Sequence, residues 1–328
     1  MSEVVISVQD LSIQYAYRDR CVKAVNRISF DIEKGTVTGL VGETGAGKTT
    51  TARGIMRLLP RKVGQITGGQ ILFRGEDIAQ LSEKAMQHIR GAKISMIFQD
   101  PMTSLNPVEC VGDQIAEVIQ LHNKLTPQEV RTKTCEMLQL VGIPAERYHD
   151  YPHQFSGGMK QRIVIAMALA CNPELIIADE PTTALDVTIQ AQVLELMADL
   201  QHKSGTSVLL ITHDMGVVAQ MCDHVAVMYA GEIVEYGNIR QIMKTPQHPY
   251  TIGLFGSLPN LNKDVHRLAT IEGAMPDPSN LPEGCSFAPR CKHACQRCFG
   301  EDPAIYETES GHKVKCHLCA DQKAGETE

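Results

Sequence analysis

Eight consecutive residues, Gly42-Glu43-Thr44-Gly45-Ala46-Gly47-Lys48-Thr49, carry the clearest chemistry in the 328-residue chain. They match in full the pattern of a loop that cradles phosphate. The glycines let successive backbone N–H groups turn inward around an anion, and a helix starting near Lys48 adds the positive end of its dipole. At this spacing Lys48 reaches the β and γ phosphates of a nucleoside triphosphate, and Thr49 offers its hydroxyl to Mg²⁺. A second chemical group lies further on, where the apolar run Leu175-Ile176-Ile177-Ala178 ends in Asp179-Glu180. Asp179 suits a place near Mg²⁺, and Glu180 is placed to orient or deprotonate an attacking water. In isolation such an acidic pair is a solvated turn. A phosphate loop upstream changes that reading.

These groups need a rigid frame. Short β-rich pieces, Val4 to Val8, Ile28 to Ile32 and Val37 to Val41, precede the loop, and Thr49 to Leu59 has helix-forming character up to Pro60. Residues from about 100 to 155 read as a helical insert, with apolar residues at Ile115, Val118 and Ile119 and again at Met137, Leu138 and Val141. Beyond the strand Leu175 to Ala178 come a helix from about Ile189 to Leu200 and strands Val208 to Ile211 and Val225 to Tyr229. Buried strands alternating with helices predict an α/β fold with a largely parallel core sheet. From Pro246 the texture changes, since eight of the sixteen prolines fall between Pro246 and Pro303. We therefore expect a main domain over residues 1–240, a separate extension over 241–328, and a disordered tail from Asp321 to Glu328.

Between the two chemical groups lies Phe155-Ser156-Gly157-Gly158-Met159-Lys160-Gln161-Arg162. Locally it is an N-capped helix start. It also resembles the signature of the ABC transporter ATPases, a resemblance that spans about residues 4 to 260. The resemblance implies a dimer sandwiching two ATP molecules, in which Ser156 and the backbone at Gly158 act on the nucleotide held by the partner's phosphate loop (Gly42, Gly45, Gly47, Lys48, Thr49, Thr50). It implies that Gln99, in Ile97-Phe98-Gln99-Asp100-Pro101, contacts Mg²⁺ and the attacking water and senses the membrane partner. By the same resemblance His213 is a γ-phosphate switch, Ala184-Leu185-Asp186 crosses the dimer interface, and Tyr15 stacks on adenine, with Tyr17 on the same strand face as the other candidate. Met159 stands where glutamine is usual, an ordinary substitution in the peptide-importer branch that the chain resembles.

Eleven cysteines are unevenly spread. Cys21, Cys110, Cys135, Cys171 and Cys222 are isolated and read as reduced, mostly buried small hydrophobes. The other six crowd between Cys285 and Cys319. Cys295-x₂-Cys298 and Cys316-x₂-Cys319, separated by seventeen residues, have by spacing alone the look of a four-cysteine zinc site. The surrounding residues instead resemble the C-terminal extension of oligopeptide and dipeptide importer ATPases: His248-Pro249-Tyr250-Thr251, then Gly284-Cys285-x-Phe287-x-Pro289-Arg290-Cys291, Cys298 and Val314-x-Cys316-His317. That resemblance implies a 4Fe-4S cluster on Cys285, Cys291, Cys298 and Cys316, with Cys295 and Cys319 as extras.

Composition bounds the rest. A formal net charge of −7 and a pI near 6 argue against a protein that tracks the nucleic-acid backbone. Ile163 to Cys171, nine apolar residues, is far short of a membrane span, and the N-terminus lacks the basic start and apolar stretch of a secretory signal. The expectation is a cytoplasmic protein peripheral to the cell membrane. The branch resemblance, strongest in Asp100-Pro101-Met102-Thr103-Ser104-Leu105-Asn106-Pro107, implies two transmembrane permease subunits, a second, homologous ATPase subunit as dimer partner, and an extracytoplasmic substrate-binding protein acting indirectly. Peptides lead as cargo, followed by nickel and oligosaccharides. A soluble ABC-type ATPase of ribosomes or DNA shares the nucleotide motifs but usually adds a second cassette, a coiled coil or basic arms.

Overall fold

Five consecutive buried residues, Val37–Val41, form a strand because their β-branched and apolar side chains are covered on both faces, the pattern of a parallel sheet interior. This strand runs parallel to His224–Tyr229, with Thr38 opposite His224 and Val41 opposite Val227. The computed structural model describes residues 3–183, 185–256, 271–309 and 311–319. Ala184 and the expected tail from Asp321 to Glu328 lie outside the described residues. The chain divides into two compact units, one of residues 1–5, 32–37 and 80–211 and one of residues 6–31, 38–79 and 212–328.

In the first unit the strand Leu175–Asp179 runs parallel to Ile94–Ile97 on one side and to Ser207–Thr212 on the other. All five of its residues are buried, including Asp179. The helical insert forms much as its periodicity predicts. Helices Val111–His122 and Pro127–Leu140 are present, the latter opened by a capping box between Thr126 and Glu129. The helix Gly157–Leu169 is buried on nearly every side along Ile163, Val164, Ile165 and Ala166, which anchors its exposed N-terminal end.

In the second unit the strand pair around the phosphate loop extends into antiparallel neighbours. Glu232–Asn238 pairs with His224–Tyr229, and the hairpin Ile305–Glu309 and His312–Lys315 adds to it through Glu235 opposite Val314. The C-terminal hairpin thus continues a core sheet, which the proline-rich sequence gave no reason to expect. Its cement is polar: the wholly buried Glu235 accepts from the backbone N–H groups of Gln247 and His248 and from His312 Nε2 at 2.8–2.9 Å. Burial pushes His248 down to about 4, so this histidine is neutral and its Nδ1 accepts from the Tyr250 N–H.

Two expectations need correction. The helix after the phosphate loop is Lys48–Ile55, shorter than the span to Leu59. Arg57 takes a left-handed conformation, and the bonds Leu58 N–H to Arg53 O and Arg57 N–H to Gly54 O close a Schellman turn, so the helix stops before Pro60 is reached. Of the five isolated cysteines only Cys222 is buried; Cys21 is exposed and Cys110, Cys135 and Cys171 are half-buried.

Candidate functional site: a phosphate loop and an oriented carboxylate

The phosphate loop leaves the buried strand Val37–Val41 and enters the helix Lys48–Ile55. Gly42, Gly45 and Gly47 have φ of 151°, 87° and 106°. At Gly42 a Cβ would stand 2.1 Å from the Met228 carbonyl oxygen, and at Gly47 2.4 Å from that of Ala24. Both positions therefore exclude any side chain on conformational and steric grounds together. Lys48, only 6% exposed, lies over the loop and donates from Nζ to the carbonyls of Gly42 at 2.8 Å and Glu43 at 2.9 Å. Thr49 and Thr50 are half-buried in the first helical turn.

Tyr15 and Tyr17 are now distinguishable. Tyr15 Oη and Thr50 Oγ1 share a hydrogen bond of 3.2 Å, which ties the ring to the phosphate-loop helix. Tyr17 lies beyond the strand Val4–Ala16, is 48% exposed, and has the Arg20 guanidinium 5.6 Å from its ring centre. His213, in the same unit, is exposed, one residue before the helix cap Asp214.

In the first unit the structure brings together residues 81 positions apart. Gln99 Nε2 donates to Glu180 Oε2 at 2.8 Å, and Thr183 Oγ1 donates to the same oxygen at 3.0 Å. Glu180 follows buried Asp179 with φ of 47°, and its N–H donates to the Ile211 carbonyl at 2.8 Å. A non-glycine residue in this left-handed region costs about 1 kcal/mol or more and persists where the surroundings enforce it. Here the strand pairing holds the backbone while two donors aim the carboxylate.

Ser156 caps the helix Gly157–Leu169, its Oγ accepting from the Met159 N–H at 3.4 Å. Gly158 allows the helix to approach its neighbour, since a Cβ there would meet Ile189 Cγ2 at 2.3 Å. Beside this helix start is a cavity of about 290 Å³ lined by Ser156, Gly158, Met159 and Arg162 among others. Asp186 caps the next helix, Val187–Ser204, through the Ile189 N–H.

Thr183 and Arg147 carried no signal in the sequence. Arg147 fixes the segment before Ser156 by donating to Asp150 Oδ2 at 2.7 Å and to the Gln154 carbonyl at 3.1 Å while its guanidinium covers the Phe155 ring at 3.9 Å. Beyond the i+3 spacings of Thr183 from Glu180 and of Asp150 from Arg147, nothing local marked either residue.

The cysteine-rich segment has its own geometry. The Cys285 N–H donates to the Cys298 carbonyl at 2.9 Å, and the Cys295 and Cys298 sulfurs are 3.5 Å apart. Burial lifts the Cys285 thiol to about 11 and the Cys316 thiol to about 12. Neighbouring thiols add to this: Cys298 acts on Cys285, Cys298 and Cys295 act on Cys291, and Cys319, Cys285 and Cys291 act on Cys316. Charge on one thiol thus weighs on its neighbours across all six cysteines of the segment, Cys295 and Cys319 included. Among the described residues no three His, Cys, Asp or Glu side chains are gathered to hold a metal ion. Sulfur donors gathered in one segment are of the type that suits a soft metal or an iron–sulfur group.

A left-handed glycine loop feeding a helix, a buried strand ending in an oriented carboxylate, and a capped glycine-rich signature helix define an ATP-binding cassette ATPase. Solved structures agree. The chain is 25% identical to the ATP-binding cassette MJ0796, solved as a dimer in a post-hydrolysis state bound to ADP and Pi, with a TM-score of 0.64 over 72% of this chain and 99% of that one. It is 28% identical to cbiO1 from Clostridium perfringens, part of the ABC transporter complex cbiONQ, with a TM-score of 0.65 over 77% and 95%. The family described as ABC transporter matches residues 25–183, and the oligopeptide/dipeptide transporter C-terminal region matches residues 234–298. A third family, an AAA domain described as a putative AbiEii toxin, overlaps at residues 149–219. Among curated relatives, the dipeptide transport ATP-binding protein DppD of Bacillus subtilis is 52% identical over 98% of this chain and 96% of its own length. The oligopeptide transport ATP-binding protein OppD of the same organism is 50% identical over 95% and 88%. The chain belongs to the ABC transporter ATP-binding proteins, in the branch that carries the oligopeptide/dipeptide transporter C-terminal region. Among the described residues no helix is long and apolar enough to cross a membrane.

Proposed function

We propose that this chain hydrolyses ATP to drive a membrane importer of di- or oligopeptides. The observation that carries the reading is the Glu180 carboxylate, aimed by Gln99 and Thr183 at the end of a buried strand, in a chain about half identical to peptide-transport ATP-binding proteins. A subunit that only bound nucleotide would have no use for it.

In this reading Lys48 and the loop amides neutralise the β and γ phosphates, Thr50 belongs to the same cradle, and Tyr15, held by Thr50, stacks on adenine. Glu180 takes the proton of the attacking water, Gln99 orients that water, and His213 holds the γ-phosphate side. Thr49, Gln99 and Asp179 are the residues toward Mg²⁺, which when bound neutralises charge on the transferred phosphoryl group. Ser156 and the Gly158 amide, at a helix start suited to an anion, serve the nucleotide of a second, homologous ATPase subunit. Two transmembrane permease subunits dock near Gln99 and the helical insert on the inner face of the membrane, and a substrate-binding protein outside delivers the cargo. The division into an ATPase domain over 1–240 and an extension over 241–328 belongs to the same proposal.

The test is reconstitution of the chain with its permease subunits in liposomes. ATP turnover is expected to rise when the binding protein is loaded with short peptides. Turnover that ignores peptides but responds to nickel ions or oligosaccharides would change the cargo, and turnover indifferent to the permease would favour a soluble ATPase.

For the extension we infer a 4Fe-4S cluster on Cys285, Cys291, Cys298 and Cys316. What supports it is the match of residues 234–298 to the oligopeptide/dipeptide transporter C-terminal region, together with the Cys285 N–H bond to the Cys298 carbonyl, which joins two of the four cysteine positions. Such a group supplies electron-transfer or structural chemistry; the thiolates' part is to hold it in a reducing compartment. Anaerobic purification of the full chain is expected to give broad absorbance at about 400 nm and about four irons per chain. Zinc without iron would overturn the assignment.

A further inference from the structure

Glu43, the residue after the opening glycine of the phosphate loop, is held at three atoms. Its N–H donates to Tyr250 Oη at 2.9 Å, its carbonyl accepts from Lys48 Nζ at 2.9 Å, and its carboxylate accepts from Arg290 Nη1 at 3.0 and 3.2 Å. Tyr250 and Arg290 come from 207 and 247 residues further along the chain. The extension therefore grips the nucleotide loop directly.

The grip is rigid at the far end as well. The Arg290 side chain is 6% exposed, and besides Glu43 it donates from Nε to the Glu272 carbonyl at 3.0 Å and from Nη2 to that of Ile271 at 3.3 Å. Its Nη1 also lies 3.4 Å from Tyr229 Oη. Phe287, three residues earlier, packs among the rings of Tyr229, Tyr250 and His248 with centroids 5.2, 5.5 and 5.7 Å away. Tyr250 has no exposed surface, so its phenol stays neutral and its oxygen stays available to the Glu43 N–H. An exposed ion pair would contribute little, but a guanidinium removed from water strands an uncompensated charge if its carboxylate is lost. Because its N–H is spent on Tyr250, Glu43 gives no amide to the phosphate cradle. Its role is to set where the remaining loop amides point.

We propose that Arg290 and Tyr250 are positioning residues of the ATPase, which act through Glu43 to hold the phosphate loop in the geometry that binds ATP. The C-terminal extension is then a working part of the nucleotide site. This rests on the ATPase reading above.

The test is a double-mutant cycle on the full chain in the assembled transporter. Arg290→Gln and Glu43→Gln are each expected to raise KM for ATP about tenfold, with kcat changed by less than about threefold, because the cost falls on loop placement. The double variant is expected to be no worse than the worse single, since one clamp is broken either way. Trinitrophenyl-ATP affinity of the same chains should weaken in parallel, and Arg290→Lys should recover part of the loss. Should Arg290→Gln fail to fold by circular dichroism, Glu43→Gln and Arg290→Lys decide the matter. An unchanged KM in folded Glu43→Gln, or losses that multiply in the double variant, overturns the proposal. If the wild-type transporter does not hydrolyse ATP, the ATPase reading fails, and trinitrophenyl-ATP affinity still reports on the clamp.

Discussion

Replacing Glu180 by glutamine is expected to lower steady ATP turnover of the assembled transporter by about 10²- to 10⁴-fold, the range associated with removing a general base. The substitution keeps the shape of the side chain. The amide oxygen of a glutamine can still accept from Gln99 Nε2 and Thr183 Oγ1, which meet the carboxylate at 2.8 and 3.0 Å, so the constellation survives while its proton-accepting capacity is lost. The strained backbone at φ of 47° is the same for both residues. ATP affinity should therefore remain within about threefold of the parent, and the loss should appear in kcat. Steady-state hydrolysis and equilibrium nucleotide binding on one preparation check both halves. Intact turnover would move the base away from Glu180, and lost binding would mean that the side chain supports the fold of the site instead.

The second large effect is at Gly47. With φ of 106° and a Cβ that would lie 2.4 Å from the Ala24 carbonyl oxygen, Gly47→Ala meets two penalties. The conformation costs an ordinary residue about 1–2 kcal/mol, and forcing a methyl group against fixed backbone adds about 1–3 kcal/mol. Met228 Cε, 2.8 Å from the same position, is the tip of a flexible side chain and can yield; the Ala24 carbonyl cannot. Either the fold loses about 2–5 kcal/mol, or the loop moves and the helix start at Lys48 no longer meets phosphate. Thermal denaturation together with nucleotide binding separates these outcomes: a lowered Tm marks the first, and a near-parental Tm with lost ATP binding marks the second. Gly45→Ala calibrates the stability arm. Its φ is 87°, but the nearest atom to its Cβ is Met275 Cε at 3.8 Å, so only the conformational part should appear. Equal stability losses at the two positions would show that the Ala24 contact is unimportant.

The phosphate loop, the strand ending in Asp179-Glu180, the capped signature helix at Ser156 and the helical insert were all legible in the linear sequence. Each rests on short-range physics: glycines where φ is positive, a serine before a helix, apolar runs of strand length, apolar residues at helical spacing. The end of the loop helix was not legible, because a left-handed Arg57 leaves no compositional mark before Pro60. The C-terminal hairpin was missed for a related reason. His312–Lys315 is short, with three polar residues in four, and it becomes a strand because Ile305–Glu309 and Glu232–Asn238 pair with it on either side.

Tertiary structure alone decided which distant groups meet. Parallel pairing of Ile94–Ile97 with Leu175–Asp179 puts Gln99 and Glu180 within hydrogen-bond reach across 81 residues. Tyr15 meets Thr50 of the phosphate-loop helix through one hydrogen bond across 35 residues. The Arg290–Glu43 pair, 247 residues apart, joins a segment read from sequence as an appendage to the loop read as the nucleotide site. Local patterns specify what each segment can do, because backbone conformation and capping depend on a few neighbours. Which segments act together depends on strand order, register and burial, and these are properties of the whole chain's packing.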